Sequence, residues 1–294
     1  HNLGVGYQAL LLNTTGVDNT AVGSFSLDAN TVGGRNSAFG KNTLTANTTG
    51  TDNTAIGDRA LASNTTGGFN TAVGELSLNA NITGINNVAM GASALSTAAG
   101  ATDDNCVAIG FEALKVMNGV SAPNVAIGSG AMKALTTGYR NVAVGTNALD
   151  ATTTGIDNIG DDALGANTIG KTNVAIGSFT MDANTTGDAN TAVGYNCLGA
   201  NTIGIQNVAI GPIALAANTT GNNNIAIGIS SLSANTTGVD NVAVGVNALA
   251  ANITGIHNVA MGRNAMLTSA GTGDDNNVAI GHEALKVMNG TASG

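Results

Sequence analysis

Apolar and polar positions recur along this chain at every seventeenth position, from end to end. Alignment on the residue preceding each Ala-Val-Gly-like string gives turn starts at Asn2, Asn19, Asn36, Asn53, Asn70, Asn87, Cys106, Asn124, Asn141, Asn158, Asn173, Asn190, Asn207, Asn224, Asn241, Asn258 and Asn277. Numbering positions within a turn from that residue, the consensus is Asn-(Thr/Val)-Ala-(Val/Ile)-Gly-x-x-(Ala/Ser)-Leu-x-Ala-Asn-Thr-Thr-Gly-x-x. Position 9 is Leu in 14 turns and Met in three, at Met132, Met181 and Met266. Positions 1 to 5 predict a short strand, because β-branched residues at positions 2 and 4 fall on one face while Ala at position 3 points the other way. Gly at position 5 predicts a corner that needs positive φ, with Gly160 standing in for it in the shortened turn. Asn-Thr-Thr-Gly supplies a second corner. Positions 8 and 9 predict a second short strand or bend, with the Leu entering the space between two sheets.

Departures from the period belong in loops. The turns 87–105 and 258–276 are each two positions longer than the rest, that at Cys106 is one longer and that at Asn158 is two shorter. A higher-order duplication with an offset of 171, or ten turns, relates Asn87–Gly119 to Asn258–Gly290. A period this short leaves no room for a helical hairpin, and two glycines per turn would break helices. The expected fold is therefore all-β: one parallel β-solenoid, or β-roll, of about 17 turns over residues 1–294. Stacking at about 4.8 Å lays like on like, in Leu, Val/Ile, Ala and Asn ladders, and gives a rod roughly 80 Å long. The Leu ladder comprises Leu27, Leu44, Leu61, Leu78, Leu95, Leu114, Leu149, Leu198, Leu215, Leu232, Leu249 and Leu285. The Ala ladder, on the face opposite Val/Ile, would admit another backbone closely. Because so narrow a coil hardly offsets its ordering entropy alone, three chains around an axis are expected.

Composition narrows the classes. Glycine makes up 42 of 294 residues, aromatics are 3%, charged residues 9% and tryptophan is absent, so small residues must do the packing. Hydrophobic residues at 43% still argue for a folded chain. A net charge of -9, with basic residues scattered singly, offers nothing to a phosphate backbone, so no nucleic-acid partner is expected. No apolar run is long enough to insert in a membrane, and no signal peptide opens the chain. The repeat runs close to both ends, and a segment of a longer fibre is expected.

The string Asn-Thr-Ala-Val-Gly-x-x-Ser-Leu-x-Ala-Asn, at Asn70 to Asn81, resembles repeats of fibrous tail proteins of bacteriophages and their bacterial relatives. Its Asn-x-Ala-Ile-Gly part, as at Asn53 to Gly57, is similar to the head repeats of YadA-like trimeric autotransporter adhesins. The resemblance covers the whole chain. It implies a parallel β-roll trimer displayed on a cell surface or virion, serving reach, rigidity and attachment.

Candidate chemistry is sparse. Asp103-Asp104 and Asp274-Asp275, in the two long turns, are the only carboxylate pairs in a shared context, Ala-Gly-x-x-Asp-Asp-Asn. Hard oxygen ligands there could collect calcium, though one pair per loop reads first as a solvated loop. Otherwise no metal and no cofactor are expected. His1, His257 and His282 lie in different turns without zinc-ligand spacing. Cys106 and Cys197 sit five turns apart, too far to pair within one rod, and read as small buried residues. Strings such as Asn13-Thr14-Thr15 and Asn235-Thr236-Thr237 match glycosylation acceptors but read as turn residues. No nucleophile arrangement or phosphate loop is present in the sequence, and no catalytic residue is assigned.

The expected function is a structural fibre, or an adhesin shaft or head, partnered by itself as a homotrimer and by a cell-surface glycan or receptor. Two alternatives stay open: an extracellular filament polymerising end to end through unpaired sheet edges, and an ice-binding or carbohydrate-binding solenoid using Thr rows. An enzyme is not expected, for want of paired carboxylates on one face.

Overall fold

The computed structural model describes residues 1–98, 104–117, 123–155, 158–269 and 275–288. The chain is an all-β parallel solenoid with 17-residue spacing, and no helix occurs among the described residues. It divides into two compact units, His1–Gly155 and Ile156–Gly294. Nine principal strands fall in the first unit, from Leu3–Val5 to Val142–Val144, and eight in the second, from Ile159–Ala163 to Val278–Ile280. Most are three residues long and occupy positions 2 to 4 of the turn. Within each unit the pairing is parallel and in register with the repeat, as in Thr20↔Ser37, Ala21↔Ala38 and Val22↔Phe39, or Thr191↔Val208, Ala192↔Ala209 and Val193↔Ile210. Like residue therefore stacks on like.

The two faces of these strands are the reverse of what hydrophobicity suggests. Ala at position 3 lies inside the coil and is fully buried, from Ala21 to Ala143 and from Ala175 to Ala260. Val, Ile, Phe and Met at position 4 point outward, with Ile56, Met90 and Ile210 exposed. The interior is too narrow for two large side chains facing each other across it. Leu at position 9 takes most of the space, and only Ala fits opposite. The expectation that the Ala ladder faces another chain is thereby overturned, and any packing of copies through the principal strands must use the β-branched face.

Positions 8 and 9 form a bend rather than a second strand. Positions 7, 9 and 17 are left-handed turn after turn, as at Phe25 (φ 57), Leu27 (φ 52) and Arg35 (φ 57). A left-handed leucine is unusual and costs about 1–2 kcal/mol, so it is held there by burial. Of the twelve ladder leucines, all are fully buried except Leu285, which lies in the last described turn and is 49% exposed. Exposed position 7 has no such compensation, and five turns place Asn there, at Asn42, Asn147, Asn196, Asn247 and Asn264. Ile213 is the outlier, a β-branched residue at φ 63 with its side chain exposed. Ile213→Asn should raise stability by about 1 kcal/mol, read as a higher urea midpoint at unchanged slope.

Gly at position 5 carries φ between 116 and 139 wherever it occurs, which confirms the corner. The Gly of Asn-Thr-Thr-Gly serves differently. It needs no positive φ, but a Cβ at Gly67 would lie 2.5 Å from the carbonyl oxygen of Gly84 and would also strike Asn64 Oδ1. In the shortened turn, Gly160 pairs with Ala175 and so occupies the Ala ladder rather than the corner. Its two missing residues come out of the corner itself, where the register shifts between Asp161 and Ala163. Strands Ile159–Ala163 and Val174–Thr180 are accordingly longer than the rest, although Gly177 (φ 116) and Phe179 (φ 59) keep the usual corner in the second. The long turns add two small parallel pairs, Thr97–Ala98 with Val116–Met117 and Thr268–Ser269 with Val287–Met288.

Candidate functional site

Most of the buried polar groups are asparagines in two interior ladders. At position 1, Asn53 Nδ2 donates to Asn36 Oδ1 (3.1 Å) and to the Gly67 carbonyl (2.9 Å). Asn53 Oδ1 in turn accepts from the backbone N–H and the side-chain amide of Asn70, each at 3.1 Å. At position 12, Asn64 Nδ2 donates to Asn47 Oδ1 (2.9 Å) and to the same Gly67 carbonyl (3.0 Å). Both ladders thus close on the position 15 carbonyl, and burying these amides costs little because their polar atoms are paired. The position 12 ladder lapses where the sequence replaces Asn, at Ala98, Met117, Leu135 and Thr152 in the first unit and at Ser269 and Met288 in the second. Asn81 Oδ1 and Asn252 Oδ1, each immediately before a long turn, are buried without a hydrogen-bond partner.

These groups bind the protein to itself, and so do most of the residues singled out from the sequence. Asp104 Oδ1 accepts from the Ile85 backbone N–H (2.7 Å), and Asp275 Oδ1 from that of Ile256 (2.8 Å). Asp188 does the same for Lys171 (2.8 Å) in a turn of ordinary length. The second Asp of each pair is therefore a backbone cap between turns. Asp103 and Asp274 lie outside the described residues. Among the described residues, no group of three or more His, Cys, Asp or Glu side chains is placed to hold a metal. His257 Nε2 faces Asp240 Oδ2 at 3.4 Å across adjacent turns.

Cys106 and Cys197 are both buried, lie in different units and form no disulfide. Burial pushes the Cys197 thiol up from its ordinary value, which keeps it protonated and unreactive. The Asn of the glycosylation-like strings points inward. Asn235 Nδ2 is committed to Asn218 Oδ1 (2.9 Å) and the Gly238 carbonyl (3.1 Å). The Thr that follows donates to the next turn, as Thr31 Oγ1 does to the Thr48 carbonyl (3.0 Å), so this row has little hydroxyl donor capacity left for a ligand.

Glu112 lies between two lysines, Lys115 Nζ and Lys133 Nζ, each at 2.6 Å. Their hydrogen bonds hold its carboxyl below the usual range, Lys115 first. A depressed folded value stabilises above the unfolded value and is lost as pH falls through the folded one. Glu112→Gln should therefore flatten the acid limb of stability from the ordinary carboxylate range downward, measured by urea titration at stepped pH.

What faces solvent is more distinctive. In the first unit, positions 2 and 4 carry no charged residue on any of the nine strands, from Leu3 and Val5 to Val142 and Val144. The same holds in the second unit from Val174–Thr180 to Val278–Ile280. At about 4.8 Å per strand, the first unit alone presents an uncharged strip roughly 40 Å long. The five Phe and three Tyr are likewise all outside the core, none of them buried. Two pairs meet edge to face across neighbouring turns, Tyr7 with Phe25 at 5.3 Å and Phe179 with Tyr195 at 5.9 Å. No protein-family model matches the chain, and no curated protein matches it significantly.

Proposed function

We propose that the chain is a non-catalytic structural element of a surface-displayed fibre, an adhesin-like shaft or head, assembled from three copies packed through their β-branched faces. The observation that carries this reading is the uncharged outward strip at positions 2 and 4. A soluble monomer gains nothing from presenting Phe39, Ile56, Val73 and Met90 outward in consecutive stacked rows, and long contiguous apolar strips are what interfaces bury. A second copy of the same strip is its natural occupant. Both share one strand spacing, so side chains of one interdigitate with those of the other at every turn, and no charge is desolvated. The number three is the one the repeat's resemblance implies. A closed ring of three also protects from solvent a face that a two-chain sandwich leaves open at its margins.

The test is solution mass by light scattering. A mass three times the 28.6 kDa of the chain is expected. A stable single-chain mass overturns the assembly, and with thermal hysteresis it would favour an ice-binding solenoid, for which Thr20, Ser37, Thr54 and Thr71 give four successive outward hydroxyl rows. Mass growing without limit would favour end-to-end filaments.

A further inference from the structure

In the second unit, Gly165 and Gly199 occupy position 10 on either side of Asp182, so neighbouring turns leave open space around its carboxylate. A shallow depression results, lined by Phe179, Asp182, Ala183, Tyr195, Asn196 and Gly199. Gly199 is needed for its shape, because the Asn196 side-chain oxygen occupies the space a Cβ at that position would take. Phe179 and Tyr195 stand at 89° to one another, and both are more than half exposed, at 58% and 54%. Phe179 stands at the left-handed position 7 (φ 59), in the turn that follows the one that lost two residues. Asp182 Oδ1 accepts from the Gly165 N–H at 3.2 Å, which steadies the carboxylate and leaves its other oxygen available.

We propose that this depression is a subsite for one pyranose ring of a glycan. An exposed aromatic face takes the C–H face of a sugar ring, whose apolar hydrogens suit the negative π surface. The hydroxyls around the ring need both donors and acceptors. Asp182 offers an acceptor, and the Asn196 amide offers both. The depression is open rather than enclosed, as befits one ring of a longer chain entering sideways. Two perpendicular rings and a carboxylate could also hold a quaternary ammonium, but a cation has no use for the Asn196 amide, and two open walls do not enclose it. The inference rests on the attachment reading, since a single shallow subsite binds weakly and gains strength from three copies presented together.

The experiment is saturation-transfer NMR on the full chain with N-acetylglucosamine, its trisaccharide, methyl β-glucoside and methyl β-galactoside, run beside tetramethylammonium. Transfer to the ring protons of at least one saccharide is expected. It should be lost in Tyr195→Ala and in Asp182→Asn, and kept in Phe111→Ala, which removes an exposed aromatic outside the depression. Saccharide signals absent from all four probes, or unchanged in Tyr195→Ala, overturn the subsite, as does transfer to tetramethylammonium alone. Mass measured on the same samples separates the two claims. A three-chain particle that binds no sugar leaves the fibre standing without this subsite, and a sugar-binding monomer does the reverse.

Discussion

Gly57→Ala lowers the stability of the first unit by about 3–5 kcal/mol, and the loss is confined to the turns around it. Gly57 has φ 130, a region that L side chains rarely adopt. A Cβ there would also lie 2.6 Å from both the carbonyl carbon and oxygen of Gly74 in the next turn. Neither backbone can give way alone. The Gly57 N–H donates to the Phe39 carbonyl at 2.9 Å, and that of Gly74 donates to the Ile56 carbonyl at 2.7 Å. Relief requires neighbouring turns to part at that corner. Because each repeat touches only its neighbours, the opening stays local. Hydrogen exchange should accelerate over residues 54–57 and 71–74 and stay unchanged near residue 142. A uniform rise across the unit would mean that the stack unfolds as one block, contrary to nearest-neighbour stacking.

Asn53→Ala should cost about 3–4 kcal/mol, read from the urea midpoint. Four hydrogen bonds disappear, two donated and two accepted by the side chain. The Gly67 carbonyl keeps a donor in Asn64 Nδ2, and Asn36 Oδ1 still accepts from the Asn53 backbone N–H. The Asn70 backbone N–H loses its acceptor inside the coil, and that uncompensated donor makes the largest single contribution. Thr49→Ala, at an exposed corner of the same region, should stay within about 0.5 kcal/mol of the parent. A small effect for Asn53→Ala would mean that water enters the coil and replaces the amide, which the paired ladders argue against.

Much of this architecture was legible in the repeat. The register, the Leu ladder, the glycine corner and the stacking of Asn on Asn follow from a fixed period and the strand rule. Which face points inward did not. A period of two says that Thr54 and Ile56 share a face and Ala55 lies on the other, but it is indifferent to which is inside. Hydrophobicity would put Ile56 in the core. The answer depends on the width of the coil, set by left-handed residues at positions 7 and 9, and a leucine such as Leu61 gives no sign in sequence that it will adopt φ 52. The convergence of Asn53 and Asn64 on the Gly67 carbonyl was hidden for the same reason. The aromatic depression went unnoticed because Phe179 and Tyr195 stand at positions 7 and 6 of adjacent turns, rather than on one ladder. Its sequence signal was the pair Gly165 and Gly199 at a position where other turns carry a side chain.

The inverted faces and the assembly they support meet in one measurement, the thiol-labelling rate of a cysteine placed at Ile56 against one placed at Thr49. Cys106 and Cys197 are fully buried and serve as silent references. In a single chain the Ile56 side chain is 42% exposed, so a thiol there would label readily. If copies pack through the β-branched face, Ile56→Cys is protected while Thr49→Cys labels at the rate of a free thiol. Equal labelling of both would contradict packing through that face. Protection of Thr49→Cys alone would move the interface to the Asn-Thr-Thr-Gly corner.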